Sequence, residues 1–434
     1  MVTILTNRLA LLGAATLAAT TATLASDSGA LLDALIRKGV LTDQEAEEIR
    51  VDLTRDADAS MLSTISGGKS TTGLKITGRV QAQYYALDTD SENPAHNNHF
   101  GMRRIYVGAS ARLGPAWSAE INYDFAGGGS FDKAFIRWEG DFLDQDLALD
   151  LGLRKVNVAY EEYTSSGSLK AIERSAATRF FVEDDNGRRL GAASYRIGAF
   201  ADINPAAAAG KATGFFYGAA ITNPERTDSA DKTTGNDESD RWNNDMPAIW
   251  ANAGYSGKFS SGAWTLGAGL GYLPDQGGWT NTAANPRGRG QGDDLALASL
   301  YGATTLGRFT LAGEVLAGKV ENGAVGGADD ASPWGVWIQP SYMLTDKLEL
   351  VLRYSHVDTD GRGIRASDGI KYAAGSGLRD KMDEYYAGMN YYIVGTDVKL
   401  QLGYVGGKTS GAIPGAAGSD ETVSGIRSQL QVNF

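Results

Sequence analysis

The last ten residues, Gly425-Ile-Arg-Ser-Gln-Leu-Gln-Val-Asn-Phe434, contain the pattern that decides the fold. Apolar and polar side chains alternate here at a period of two residues, with one interruption at Ser428. The apolar face comprises Ile426, Leu430, Val432 and Phe434, and the polar face comprises Arg427, Gln429, Gln431 and Asn433. This alternation predicts a β-strand with one apolar and one water-facing side. Sandwiches and barrels both contain such strands, so the rest of the chain must discriminate between them.

The same alternation recurs from Leu74 to the C-terminus in about sixteen segments, each long enough for a tilted membrane-spanning strand. The first lies near 74–87, the sixth near 189–200 and the last near 421–434. In the first segment, Leu74, Ile76 and Val80 share one face while Lys75 and Arg79 lie on the other.

The connections between these segments alternate between short turns and long polar loops. Tight turns on one rim and long loops on the other are typical of outer-membrane barrels, whereas a soluble sandwich has no reason to sort its loops in this way. The sequence therefore predicts an all-β fold, a 16-stranded antiparallel transmembrane β-barrel over residues 74–434, located in the bacterial outer membrane. The last strand should pair with the first.

Composition agrees with this prediction. The chain has 434 residues, no Cys, a net charge of −12 and an apolar fraction of 42%. Without Cys there are no disulfides, thiol nucleophiles or thiolate metal sites. The negative net charge argues against nucleic acid as a partner. Outer-membrane lipid and small solutes are the partners that the pattern predicts.

The N-terminal region differs from the rest. Residues 1–25 predict a signal peptide, because a basic residue precedes an apolar run that ends in small residues. Residues 26–62 predict a short periplasmic helical or coiled-coil segment, in which Thr42 and Glu45 form a capping-box pattern. A disordered acidic linker is the alternative for this segment. Residues 63–73 are rich in Ser, Gly and Thr and predict a flexible linker.

If the apolar faces contact lipid, the polar faces line a lumen, and a barrel of sixteen strands leaves a water-filled channel. The predicted wall carries more basic than acidic residues, and its basic set includes Arg353, Lys399 and Arg427. The candidate pore-lining or anion-binding residues are Lys75, Arg79, Arg104, Arg112, Lys133, Arg137, Arg154, Lys170, Arg174, Arg179, Arg188 and Arg196. Cationic side chains in a narrow pore favour anions. The alternative is that wall charges form ion pairs that only keep the surface wet.

The loop at 154–188 is a candidate for folding inward and setting the size limit. Its arginines could hold phosphate oxygens two at a time. Glu161, Glu162, Glu173 and Glu183 share the loop, however, so the arginines could instead fix its shape by pairing with them.

Aromatic residues at the strand ends predict interfacial girdles, because amphipathic rings favour the headgroup level of the membrane. The candidates are Trp117, Trp138, Tyr163, Trp250, Trp264, Tyr301, Trp334 and Tyr385. Ordinary strand aromatics are the alternative.

The runs Lys155-Val-Asn-Val-Ala-Tyr-Glu-Glu-Tyr-Thr-Ser-Ser166 and Ile172-Glu-Arg-Ser175 resemble the hallmark of the phosphate-selective porin O and P family. Ala159 stands where that family usually has Pro before an aromatic residue. The resemblance implies a sixteen-stranded, homotrimeric outer-membrane channel, with phosphate as a possible solute.

The function expected from these features is passive diffusion of small hydrophilic solutes, with a preference for small anions. We expect no catalytic residues, metal site or cofactor, because the three His residues do not form a set with nucleophiles or acids. A non-selective or sugar-permeating porin is one alternative. Another is a structural outer-membrane protein that contacts periplasmic partners or cell wall through 26–62.

Overall fold

The computed structural model describes residues 71–91, 94–183, 188–224, 246–274, 293–327 and 329–434. The predicted signal peptide, the segment 26–62 and nearly all of the predicted linker lie outside these ranges. None of the described helices is long and apolar enough to cross a membrane.

Sixteen antiparallel strands form a closed barrel in which each strand pairs with its neighbours in sequence. The strands are β1 Thr71–Asp90, β2 Ala95–Leu113, β3 Trp117–Asp124, β4 Ser130–Phe142, β5 Gln145–Lys155, β6 Tyr195–Ile203, β7 Gly214–Thr222, β8 Ala248–Phe259, β9 Gly262–Leu273, β10 Leu295–Leu306, β11 Phe309–Val320, β12 Trp334–Met343, β13 Leu348–Asp358, β14 Lys381–Val394, β15 Val398–Ser410 and β16 Glu421–Asn433. The predicted fold class is confirmed for this part of the chain.

Strand β16 behaves as its sequence predicts. Ile426 and Leu430 are exposed on the outer surface, whereas Gln429 and Gln431 are buried on the inner one. The barrel closes through pairing of β16 with β1, and Gln431 lies opposite Gln81. The seam between first and last strands therefore exists as predicted.

Four short α-helices and one 3₁₀ helix, Ala126–Gly128 between β3 and β4, lie in the described connections. The α-helices are α1 Tyr160–Tyr163 and α2 Ala176–Val182 between β5 and β6, α3 Pro205–Ala208 between β6 and β7, and α4 Ala366–Gly369 between β13 and β14. Helix α2 begins after Ser175, whose side chain accepts a hydrogen bond from the backbone N–H of Thr178. Such N-caps satisfy a donor that the helix itself leaves unpaired.

The prediction for the sixth strand is wrong at both ends, since β6 spans Tyr195–Ile203 rather than 189–200. The residues before Tyr195 pair elsewhere: the N–H groups of Leu190 and Ala192 donate to the carbonyls of Phe180 and Phe181. These N–H groups are hydrogen-bonded to the end of α2, so the backbone at 190–192 cannot join the sheet.

The aromatic-girdle prediction is also wrong in part. Trp117 and Tyr385 are exposed, as a girdle requires. Trp250 and Tyr301 are buried on the inner face, and Tyr163 lies in helix α1 rather than in a strand. Residue type does not set the direction of a strand side chain. Its position in the two-residue repeat does.

Candidate functional site

The connection between β5 and β6, residues 156–194 with 184–187 undescribed, lies inside the barrel, and we call it the inner loop. Helix α2 contacts strands β11 to β14, and Phe180 and Phe181 are fully buried. They belong to one apolar cluster with inward-facing residues of the barrel, here called the apolar wall: Leu273, Leu295, Leu316, Val320 and Val357. Burying each Phe side chain contributes about 1.5–3 kcal/mol. One side of the inner loop is therefore held by apolar packing.

Glycine makes room for that contact. A Cβ atom on Gly335 of β12 would lie 3.1 Å from the Ala177 Cβ and 3.2 Å from the Phe181 ring. Because both distances are tighter than ordinary carbon contacts, a larger residue at this position would push α2 away from the wall.

Barrel side chains also bind the backbone of the inner loop near its helices. The Glu314 carboxylate accepts hydrogen bonds from the N–H groups of Tyr160 (2.8 Å) and Glu161 (3.2 Å). Glu384 accepts from the N–H of Ala176 at 2.6 Å. These carboxylates supply acceptors for backbone donors that a short helix cannot satisfy internally.

The opposite side of the inner loop is held by hydrogen bonds from strands next to the seam. Gln81 donates to the carbonyl of Ser166 (3.3 Å), and Gln431 donates to that of Gly167 (3.1 Å). Lys399 Nζ lies 2.8 Å from the carbonyl of Leu169. The backbone at 166–170 thus turns its oxygens toward the wall.

Glutamines on these strands also bond one another, and we call them the seam ladder. Its members are Gln81, Gln83, Gln401, Gln429 and Gln431. The distances are 2.6 Å from Gln81 to Gln431, 2.8 Å from Gln83 to Gln429 and 2.8 Å from Gln429 to Gln401. An amide offers both donors and acceptors, so a chain of amides can satisfy its own groups when buried.

Eight of the twelve candidate cations form ion pairs with carboxylates. The pairs with their distances are Arg112–Glu139 2.7 Å, Lys133–Glu120 2.9 Å, Arg137–Asp150 2.7 Å, Arg154–Asp202 2.7 Å, Arg174–Glu162 2.8 Å and Arg188–Asp368 2.8 Å, together with Lys170–Glu349 and Arg179–Glu183. Within the inner loop, Arg174 and Arg179 therefore pair with loop carboxylates, which is the shape-fixing arrangement that the sequence left open.

Of the other four candidates, three donate hydrogen bonds to neutral described groups, and one lies near a strand end. Arg79 donates to Ser166 Oγ (2.7 Å) and Asn433 Oδ1 (2.8 Å). Arg104 donates to Gln81 Oε1 at 2.8 Å. Arg196 donates to the carbonyl of Gly191 at 2.6 Å, and Lys75 is exposed near the start of β1.

Arg79 and Arg104 are joined by two further wall residues from the predicted basic set, Lys399 and Arg427. These four residues, the seam cations, lie on the adjacent strands β2, β1, β16 and β15. Among the described residues, no carboxylate oxygen comes within 4.0 Å of their charged nitrogens. Positive charge is therefore least compensated on the seam side of the lumen.

The sequence did not identify two features of the site. Arg103 binds both oxygens of Glu173, at 2.7 and 3.1 Å. The second is the connection 359–380 between β13 and β14. Its helix α4 contacts α2 of the inner loop, and its Tyr372 stacks on Tyr85 of β1 with ring centres 4.3 Å apart. Buried Ile364 and Ile370 within an otherwise polar loop were the available signal.

Burial and neighbouring charges perturb the loop groups. Burial alone would raise the pKa of Glu173, but the Arg103 guanidinium, aided by Arg104, holds it well below its usual range. Burial lowers the pKa of Lys371 to about 7, and the charge of Arg103 adds to that effect. A carboxylate beside arginine stays ionised, whereas an amine buried among cations loses its proton readily.

Residues 74–434 match the family described as phosphate-selective porin O and P. The chain belongs to this family. It is a porin of the bacterial outer membrane, and it forms a diffusion channel there. Comparison with curated protein sequences gives no match.

Solved structures share the fold at low identity. An anion-selective porin from Comamonas acidovorans is 14% identical with a TM-score of 0.53, covering 83% of this chain and 99% of that one. The channel DcaP of Acinetobacter baumannii is 12% identical with a TM-score of 0.52, covering 85% and 99%. OmpT of Vibrio cholerae, solved in a trimer form, is 12% identical with a TM-score of 0.50, covering 84% and 100%.

Proposed function

We propose that this porin conducts small anions in preference to cations, with the seam cations as the groups that select. The supporting observation is that Arg79, Arg104, Lys399 and Arg427 lie on four adjacent strands without a described carboxylate within ion-pair distance. Uncompensated positive charge in a narrow, low-dielectric passage raises the local anion concentration and repels cations.

The inner loop brings this charge close to the solute path. Its backbone at 166–170 packs against the seam ladder and covers Lys399, which is buried, whereas Arg79 is partly exposed. Solutes that cross this level would therefore pass close to Arg79. We propose that residues 154–188 narrow the channel in this way. Arg79 and Arg104 are bound only to neutral described partners, so their charge remains available to an anion.

Reversal potentials in planar bilayers under a KCl gradient test this proposal. The wild-type channel should select anions, and the double variant Arg79→Gln/Arg104→Gln should lose most of that selectivity. A matched control is Arg112→Gln/Glu139→Gln, which removes an ion pair without changing net charge and should behave as wild type. Cation preference in the wild type would contradict the proposal.

Phosphate-like anions are the finer proposal, supported by the family to which the chain belongs. Arginine holds tetrahedral oxyanions well because its planar fork can donate two parallel hydrogen bonds. Adding phosphate should then reduce the chloride current at low concentration, and the Arg79→Gln/Arg104→Gln variant should be less sensitive. An unchanged chloride current in phosphate would restrict the proposal to anions in general.

A non-selective or sugar-permeating porin is the second candidate. The ion pairs of Arg112, Lys133, Arg137 and Arg154 favour it, because they neutralise much of the wall away from the seam. Liposome swelling discriminates between the two functions. Neutral sugars that enter as fast as anions of equal size would support this candidate over the first.

The assembly and the N-terminal segment also remain proposals. A homotrimer is supported by the OmpT structure, which is described in a trimer form.

The segment 26–62 is proposed to be helical and to contact periplasmic partners or cell wall, on its sequence pattern alone. Light scattering of the purified protein tests the homotrimer, and a deletion of 26–62 assayed for cell-wall association tests the role of this segment.

A further inference from the structure

A small cavity lies where the inner loop, the 359–380 connection and the barrel wall meet. Its volume is about 10 Å³, and its charged lining residues are Glu173, Arg174, Arg353, Lys371, Glu384 and Arg427. These residues come from three separate parts of the chain, so whatever binds here touches both loops and the wall.

Arg427 is the least satisfied member of this group. It is 3% exposed, and its Nη2 donates to the carbonyl of Lys371. Its Nε and Nη1 have no hydrogen-bond partner among the described residues. Leaving two guanidinium nitrogens buried without acceptors is unfavourable, because burial removes the water that would otherwise bind them. The cavity beside Arg427 is the place where a compensating group would fit.

The carboxylates of the lining do not supply that compensation. Glu384 is 2.6 Å from Arg353 Nη2 and also accepts from the N–H of Ala176. Glu173 is bound by Arg103 from outside the cavity. Arg174 and Arg353 are likewise paired, with Glu162 at 2.8 Å and Glu161 at 3.2 Å. Arg427 and Lys371 are the basic lining residues without a described carboxylate within 4.0 Å, so a negative charge beside them is favoured.

Size limits which anion can enter. A volume of about 10 Å³ corresponds to roughly one water molecule. A monatomic anion requires little expansion of such a space, whereas phosphate, sulfate and carboxylic acids are several atoms too large. Backbone and side-chain donors around a single ion would give charge-assisted hydrogen bonds.

We propose that Arg427, with Arg353 and Lys371, binds one halide ion, chloride under physiological conditions, that joins both loops to the barrel wall. This goes beyond anion permeation, because the ion is a bound component of the constriction rather than a passing solute. It would neutralise Arg427 and draw Lys371 toward the inner loop. Anion selectivity and halide binding can therefore fail independently of each other.

Crystals grown in bromide provide the direct test. The wild-type barrel should show one anomalous scatterer within hydrogen-bonding distance of Arg427 Nε and Nη1, and Arg427→Gln should lose it. Arg308→Gln is the matched control, since Arg308 is an exposed arginine paired with Asp346 on a turn, and this variant should retain the bromide. Density at the site without anomalous signal in the wild type would indicate water and overturn the proposal.

Solution measurements add a second readout. The apparent unfolding temperature of the wild type should be higher in sodium chloride than in sodium gluconate at equal ionic strength, since an ion bound only by the native state stabilises it. Should Arg427→Gln fail to assemble, Lys371→Met serves instead, because it alters a connection and leaves every strand intact. That variant should lose at least half of the chloride effect. Equal unfolding temperatures of the wild type in both salts would contradict the proposal.

Discussion

The two sides of the lumen hold the same loop by different chemistry. On the apolar wall, Phe180 and Phe181 pack against barrel residues such as Leu316. On the seam side, Gln81 and Gln431 donate to backbone carbonyls of that loop. Apolar packing is non-directional and depends on area, whereas hydrogen bonds depend on the angle and distance of each donor.

The apolar wall therefore anchors the inner loop, whereas the seam side orients it. Burial of each Phe side chain at the apolar wall contributes about 1.5–3 kcal/mol to this anchoring. The seam ladder determines which atoms of the loop face the wall, and it leaves Arg79 and Arg104 with neutral partners. One ion pair also fixes the loop on this side, since Arg103 of β2 binds Glu173 at 2.7 Å.

Breaking the apolar contact should have the largest effect. Phe180→Ala and Phe181→Ala should each weaken attachment of the inner loop by about 3–5 kcal/mol, because each leaves a cavity in a packed cluster. Single-channel recordings should show larger and noisier conductance. Phe142→Ala, at an exposed position, is the control and should match wild type. Unchanged conductance in both inner-loop variants would show that packing does not anchor the loop.

Removing Arg103 should reverse the direction in which attachment of the inner loop changes with pH. In the wild type the pKa of Glu173 is lower in the folded protein than in the unfolded chain, where it is about 4.3. The stabilisation that Glu173 provides is therefore complete above a pH of about 4.3. It is lost only as the pH falls through the lower pKa of the folded protein. Loop attachment should therefore be constant from pH 7 to pH 5. In Arg103→Gln, burial dominates and the pKa of Glu173 rises. Attachment should be weaker by about 2–3 kcal/mol at pH 7 and should recover toward pH 5.

Hydrogen exchange at the amides of Ala176 and Ala177 measures this dependence, after correction for the intrinsic rate at each pH. Arg308→Gln, far from the loop, should show the wild-type profile. An Arg103→Gln profile without a slope between pH 5 and 7 would mean that Arg103 does not control the charge of Glu173.

A smaller effect is expected at the seam ladder. Gln401→Leu removes donors to Lys170 O (3.0 Å) and Asn390 Oδ1 (2.9 Å), and it should weaken loop attachment by about 1–3 kcal/mol. Gln339→Leu is the matched control, because this buried glutamine has no partner for its Oε1 among the described residues. It should be neutral or stabilising by hydrogen exchange. If Gln401→Leu and Gln339→Leu weakened loop attachment equally, the seam side would not differ from the apolar wall in its use of hydrogen bonds.

The smallest effect should come from the exposed ion pairs. Arg112 and Glu139 are 2.7 Å apart, but both side chains are substantially exposed to solvent. Arg112→Gln should change thermal stability by less than about 1 kcal/mol, measured by heat-induced gel mobility. A larger loss would mean that charges outside the seam also stabilise the barrel.

Period-two alternation, together with the sorting of short turns and long loops, predicted the barrel, its sixteen strands and the pairing of the first strand with the last. It also placed Arg79, Gln81 and Gln83 on the inner face. The start of β6 could not be predicted, because Leu190 and Ala192 resemble strand residues while their backbone pairs with helix α2. Local patterns report propensity, and a tertiary contact decided this case.

The sequence could not predict which carboxylate each basic residue pairs with. Arg174 and Glu162 are separated along the chain, and only the fold of the loop brings them to 2.8 Å. Arg103 was missed because it does not fit the two-residue repeat of inward-facing side chains, whereas its neighbour Arg104 does. Which cations remain without a carboxylate therefore depends on loop conformation, and the candidate residues at the seam stay predictions until selectivity is measured.

The seam ladder can form completely only in a closed barrel. Two of its donors to the inner loop, Gln81 and Gln431, sit on the first and last strands, so they come together only when the cylinder has closed. An open sheet offers Ser166 and Gly167 only part of their binding surface. The seam-side contacts of the inner loop are therefore complete only after the wall has closed. Conversely, a docked loop bonds to both edges at once and keeps them from separating.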